Sequence, residues 1–402
     1  EATHNAYGKA LAELVVERDD VLVLDADLTK STKTIDAKKA RPEHHFNMGI
    51  AEGNMMAVAA GMAASNKVVY ASSFAMFAAG RAFEQIRNSI CYPNLNVKVC
   101  ATHAGITVGE DGASHQCIED IALMRSIPNM KVFVPCDQYQ AKAIVKAVAD
   151  IAGPCYVRLG RGAVEDVYDE NYKFELGKGK VLREGHKIAL VATGMMVQEA
   201  LKAADILAKE DISVTVVDMP CIKPIDEELI EKIAKSHEII ITCEEHNVYG
   251  GLGSAVSEVT SKKSPVRVEM IGMQDTFGES GTPNELLAKY GLNADHIVEK
   301  VKAAYVAEGH TADSVKKIRV YIKPEEGMAY YVVNDDKSLD RNIKSVLIEK
   351  NVPLTFVSGR NVHIIQDYIK ELNITLPYIT NNGANMFLGD TCIYECPIDS
   401  SE

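Results

Sequence analysis

The chain has 402 residues, 47% hydrophobic and 25% charged, with a formal net charge of -13. That length exceeds what one core fills and suggests two or three domains, while the acidic balance argues against nucleic acid or an anionic membrane as partner. No apolar run of about 18 residues offers a membrane span, the N-terminus does not read as a signal peptide, and the nine scattered Cys read as reduced thiols of a cytoplasmic protein.

From Asn5 to about Arg161, "YGKALAELVVER" predicts a helix, "VLVLDAD" a buried strand and "EGNMMAVAAGMAAS" a helix. "KVVYAS" follows as a strand, "AAGRAFEQIRNSI" as a helix, and "VKVCATH" and "KVFVP" as strands. "QYQAKAIVKAVAD" closes the series as a helix before the strand "CYVRLG". This rhythm predicts an α/β fold, a doubly wound open sheet with helices on both faces, over residues 1–165. The charged, turn-rich "GAVEDVYDENYKFELGKGK" breaks it and reads as a linker over 166–185. A second doubly wound unit over 186–306 has strands "KIALVATG", "SVTVVDMP", "EIIITCEEH" and "VRVEMIG". Its helices are "QEALKAADILAKE", "EELIEKIAK" and "GLGSAVSEVTSKK", and "ADHIVEKVKAAYV" closes it. Composition shifts after Ala307, and a third segment covers 318–402.

Ligands of open α/β sheets collect where strands end in loops. "LDADLTKST" puts Asp25, Asp27 and Ser31 just after a strand, and "YVRLGRG" ends another with Arg158. "CATHAGITVGEDGASHQ" places His103, Asp111 and His115 around three glycines, whose lack of a side chain lets backbone approach a ligand closely. "SSFAMFAAG" sets Phe74 and Phe77 on one face. Glu52 is the only charge in "FNMGIAEGNMM", and lone carboxylates are seldom buried without a partner or a task. Each residue also has a plain reading: core packing for the two Phe, a helix cap for Asp27, an ion pair for Arg158, a satisfied ring for either His. A helix-start position explains a Glu at 52 but not its apolar surroundings.

"DADLTKS", "NMGIAEGNM", "SSFAMFAAG", "ATHAGITVGEDGASHQ" and "PNMKVFVP", in that order, resemble the pyrimidine-binding domain of the transketolase family, and "IITCEEHNVYGGLGS" resembles its C-terminal domain. The resemblance implies thiamine diphosphate as cofactor. Glu52 would contact the pyrimidine N1', Phe74 and Phe77 would pack on that ring, and Asp27 would lie near the thiazolium. Ser31, His103 and Arg158 would hold a sugar phosphate, Asp111 a substrate hydroxyl, and His115 the oxygen near the reacting carbon. Glu52, His103 and His115 are thus the implied catalytic residues. The Gly-Asp-Gly signature with which the family holds its diphosphate and metal is not found. The resemblance is therefore to the C-terminal subunit of a split transketolase. That implies an N-terminal transketolase subunit as partner, holding Mg²⁺ or Ca²⁺ and the diphosphate, in a self-pairing heterotetramer acting on phosphorylated sugars. This chain would hold only the pyrimidine half of the cofactor and no metal.

Within the same cofactor class, deoxyxylulose-phosphate synthase and the β subunit of a 2-oxoacid dehydrogenase are less similar. The first has an Arg where His103 stands, and the second lacks paired His around the acidic loop. A non-catalytic assembly protein is the alternative outside the class. The segment "NVPLTFVSGRNVHIIQDYIKELNITLPYITNNGANMF" resembles haloacid-dehalogenase-like phosphatases through Ser358, Gly359 and Arg360. It lacks the Asp nucleophile and the later acidic metal motif, so it is expected to be a non-catalytic fragment, ruling against a sugar phosphatase.

Overall fold

The computed structural model describes residues 1–307 and, beyond them, five strands. The chain forms two compact units, Glu1–His310 and Thr311–Glu402.

The first sheet of the larger unit is built from β1 (Val21–Asp25), β2 (His45–Asn47), β3 (Val68–Phe74), β4 (Val97–Thr102), β5 (Lys131–Phe133) and β6 (Cys155–Arg158). The second is built from β7 (Lys180–Arg183), β8 (Lys187–Ala192), β9 (Thr215–Asp218), β11 (His237–Asn247) and β12 (Arg267–Met273), while β10 (Cys221–Lys223) crosses back to the first. The strand orders are β10-β5-β6-β4-β3-β1-β2 and β12-β11-β8-β9-β7. All pairings within β1 to β6 are parallel, as are those among β8, β9, β11 and β12. Such sheets are covered on both faces, which is why β3 and β4 are buried at every position. Helices Thr3–Glu17, Glu52–Ala64 and Gln138–Val148 cover the first sheet, and Met196–Ala208, Glu227–Ser236 and Leu252–Lys263 the second. One apolar cluster runs from Leu24 and Val97 in the first sheet to Val191, Val217 and Ile240 in the second, so the two sheets share a core.

Three departures from the sequence reading bear on the sheets and the site. The stretch expected to be a linker, 166–185, contains β7, an antiparallel edge strand whose Lys and Arg side chains suit an edge that must resist pairing. Strand β10 pairs antiparallel with β5, with buried Cys221 in register beside Phe133 and sharing its apolar core. The helix expected at "AAGRAFEQIRNSI" is mostly wide-turn π-helix, Met76–Arg81 and Ile86–Cys91 around a short α segment. Such turns recur at functional sites, and this one carries Phe77.

The seven described cysteines of this unit are buried and unpaired. None of the described helices is long and apolar enough to cross a membrane. In the smaller unit, Ile318–Lys323 pairs antiparallel with Met328–Val333, and Tyr378–Thr380, Asn385–Leu388 and Thr391–Glu395 form a three-stranded antiparallel sheet. Ser358, Gly359 and Arg360, on which the phosphatase resemblance rests, lie outside the described residues.

Candidate active site

The candidate residues gather at the ends of β1, β3, β4 and β6. Two of them sit on backbone that side chains other than glycine seldom adopt: Asp27 has φ +62° and His103 has φ +57°. Strain of that kind persists where surrounding structure enforces it, and it clusters at functional sites.

The Asp27 loop is fixed from below. Asp25, fully buried at the end of β1, accepts hydrogen bonds from Thr29 (3.0 Å) and Thr34 (2.8 Å) and contacts His45 Nε2 at 2.6 Å. Ser31 is half-buried on the same loop. The Asp27 N–H donates to Asn47 Oδ1 at 3.2 Å, and the Gly49 N–H donates to the same oxygen at 2.9 Å. Asn47 thus ties the Asp27 loop to the segment that delivers Glu52. Its place in "FNMG" was the only sequence signal, and the pattern analysis did not single it out.

Glu52 is the first residue of its helix and is 5% exposed. It is not wholly alone: Arg81 Nη1 lies 3.7 Å from its Oε1. The same guanidinium lies 4.2 Å above the Phe77 ring, so Arg81 links the carboxylate to an aromatic cluster. In that cluster Phe74 stacks on His103 at 3.9 Å and on Phe77 at 5.9 Å. His115 meets Phe77 edge-on at 5.4 Å, and His4 meets His103 edge-on at 5.5 Å. Four of the candidates therefore form one group with His4, which no sequence motif marked and which lies in the first turn of helix Thr3–Glu17.

Positive charge surrounds the two inner rings. Burial first, then Lys33, push His4 down to about 4, against a hydrogen-bond contact with the Gly160 carbonyl at 3.0 Å. Burial first, then the charges of His4, Arg161 and Lys33, push His103 down to about 3. Both rings are neutral at pH 7, so the local charge comes from Lys33 and Arg161. A pair of cations beside neutral imidazoles in an acidic chain is an arrangement for an anion.

The expected role of Arg158 needs correction. Its guanidinium is buried, with Nε 2.9 Å from Asp120 Oδ2, and its Nη2 donates to the carbonyls of Cys117 (3.2 Å) and Glu245 (2.9 Å). Tyr156 O–H also donates to Asp120, at 2.7 Å. Its Nε and Nη2 are thus taken up by the join between the two sheets, which makes Arg158 a structural residue first. The arginine that faces the site is Arg161, in the loop after β6. It is half-exposed, 3.5 Å from exposed Asp111 and 3.8 Å from Glu110.

The pyrimidine half of a thiamine cofactor fits these residues: a buried carboxylate at a helix start, with stacked aromatic rings beside it. Among the described residues, no group of three His, Cys, Asp or Glu side chains is placed to hold a metal ion.

Residues 1–166 match the family model for the transketolase pyrimidine-binding domain, and 177–297 that for the transketolase C-terminal domain. A putative transketolase C-terminal section of Methanocaldococcus jannaschii is 50% identical over 298 residues, covering 73% of this chain and 93% of that protein. The chain belongs to the transketolase family. A 6-deoxy-6-sulfo-D-fructose transketolase subunit of a Clostridium species is 38% identical, over 73% of this chain and 91% of its own. A solved structure described as a split gene transketolase, inactive beta4 tetramer, superposes with a TM-score of 0.72 at 56% identity, covering 76% of this chain and 98% of that one. Beyond the transketolase domains, residues 332–402 match a haloacid dehalogenase-like hydrolase model.

Proposed function

We propose that this chain is the C-terminal subunit of a split transketolase, transferring a two-carbon ketol unit between sugars that carry a terminal anion. The observation that carries the reading is buried Glu52, joined through Arg81 to the Phe74, Phe77, His103 and His115 cluster.

Thiamine diphosphate, when bound, supplies the stabilisation of negative charge at the reacting carbon. This chain's residues then do the remaining work. Glu52 would hydrogen-bond the pyrimidine N1', where exclusion of water strengthens the interaction. Phe74 and Phe77 would offer faces on which that ring could pack, and Asp27, on its constrained backbone, would hold the thiazolium side. His115 sits to donate to the substrate oxygen beside the reacting carbon, and Asp111 to accept from a hydroxyl. His103, Ser31 and Arg161, with Lys33 and His4 behind them, form the end that takes the anion. A basic end of this kind accepts phosphate or sulfonate alike, and one relative is a 6-deoxy-6-sulfo-D-fructose transketolase subunit. Phosphorylated sugars are the substrates we propose here.

The metal ion and the diphosphate are assigned to an N-terminal subunit. Two copies of each chain would complete the sites. The solved relative's description as an inactive assembly of β chains supports dependence on such a partner. The intact cluster stands against a purely scaffolding role, which would need neither buried Glu52 nor the rings stacked beside it.

The test is reconstitution: the chain, an N-terminal transketolase subunit, thiamine diphosphate and Mg²⁺ are mixed, and two-carbon transfer from xylulose 5-phosphate to ribose 5-phosphate is followed. Turnover with both subunits and none with either alone is expected. Turnover by this chain alone, or absence of turnover in the mixture, overturns the reading.

A further inference from the structure

We propose that Glu245, which belongs to the second sheet, is a positioning residue for the loop of the first domain that carries Asp111 and His115. The proposal rests on the transketolase reading only in its kinetic arm.

Glu245 lies near the end of β11 and is 5% exposed. Its carboxylate crosses the join between the sheets, and Oε1 accepts the Thr107 N–H at 2.7 Å. That amide opens the short 3₁₀ helix Ile106–Asp111, whose last residue is Asp111. The carboxylate also fills the space above Gly105: a Cβ built there would overlap it, and Gly105 has φ +82°. Gly105 therefore has two reasons to be glycine, one of them on the other side of the domain join.

The foundation of Glu245 is equally well fixed. Arg158, buried and held by Asp120, donates to the Glu245 and Cys117 carbonyls, while the Gly105 N–H donates to the Cys117 carbonyl at 2.8 Å. Both ends of the Gly105–Cys117 loop are thus referred to one arginine. Gln116 adds a second tie to the same domain: its Nε2 donates to the Ile106 and Gly109 carbonyls within the loop and to the Glu279 carbonyl of the second domain at 2.8 Å. The Glu245 carboxylate meets the loop itself, rather than a ligand. Its effect on the reaction passes through Asp111 and His115.

A carboxylate is not required for this task, only an acceptor at that point. Glu245→Gln keeps an acceptor and Glu245→Ala removes it, leaving the Thr107 N–H buried without a partner. The experiment measures amide hydrogen exchange of the full chain in wild type and both variants, then kinetics of each with the N-terminal subunit. In Glu245→Ala, exchange across 105–111 should rise about tenfold, the ratio for losing one hydrogen bond of ordinary net strength, with β8 and β11 unchanged. Glu245→Gln should stay within about threefold of wild type in exchange, since an acceptor remains. With the partner subunit, Glu245→Ala should lose kcat more than it raises KM, and Glu245→Gln should recover most of the loss. Unchanged exchange at 105–111 in Glu245→Ala, or an equal rise throughout β8 and β11, overturns the proposal, the second by making Glu245 a general fold anchor. Loss of loop protection in Glu245→Gln as large as in Glu245→Ala also overturns it. If wild type itself shows no transfer, the functional reading fails while the exchange arm still decides the positioning role.

Discussion

The loop after β1 and the loop after β4 both present candidate ligand groups, yet they are anchored in opposite ways. The first hangs from Asp25, a residue of its own strand, through Thr29 and Thr34 a few positions on and His45 in the neighbouring strand. The second is held by Glu245 and the Glu279 carbonyl, both from the other domain, on a base built by Arg158 and Asp120. A locally anchored loop can keep its shape whatever the second domain does. A remotely anchored loop makes the second domain part of the site although none of its side chains need touch the ligand.

The two anchoring schemes predict different failures. Arg158→Ala should cost the most, about 3–5 kcal/mol of stability, because it strands the Asp120 carboxylate in a buried position. A melting experiment checks it, and loss near zero would mean that the join between the sheets does not depend on this pair. Asp25 should show a pH signature instead. Burial pushes its carboxyl up, but hydrogen bonds from His45, Thr34 and Thr29 outweigh that and hold it below its ordinary value of 3.8. A carboxyl whose folded value is depressed stabilises the fold above its unfolded value and loses that contribution as pH falls through the folded one. Between roughly pH 5 and 3, wild type should therefore lose more stability than Asp25→Asn, which has no carboxyl to protonate there. Parallel pH curves for the two proteins would remove Asp25 as the local anchor. Arg161 donates to the Val108 carbonyl of the second loop, at 2.5 Å, and is itself half-exposed, so Arg161→Ala should leave the melting temperature within a few degrees of wild type. It should raise KM for phosphorylated sugars by about tenfold, equivalent to roughly 1.4 kcal/mol of binding, without an equal effect on unphosphorylated ketoses.

The same contrast explains what was legible in the sequence. Glu52, Asp27, Phe74, Phe77, His103 and His115 stand in short motifs at strand ends, and the rhythm of apolar runs was enough to place those ends together. Arg158 and Arg161 both occur in "YVRLGRG", and nothing local distinguishes them. The difference is that Arg158 closes the strand facing Asp120 and the second domain, whereas Arg161 lies in the loop beyond it. His4 shared the problem, since only its packing on His103 brings it into the cluster. Strand β10 was obscured for a related reason: it lies in the second domain's stretch of sequence but completes the first domain's sheet. Pattern reading recovers what neighbours in sequence determine, and it misses contacts made across the domain join.

The central claim is that buried Glu52 activates a cofactor shared with another chain. Its most direct test is Glu52→Gln in the reconstituted complex, with thermal melting of the isolated chain run alongside. Loss of a positioned proton-transfer group predicts a fall in kcat of at least about 100-fold with the melting temperature nearly unchanged. Turnover at the wild-type rate in a complex that depends on both subunits would contradict it.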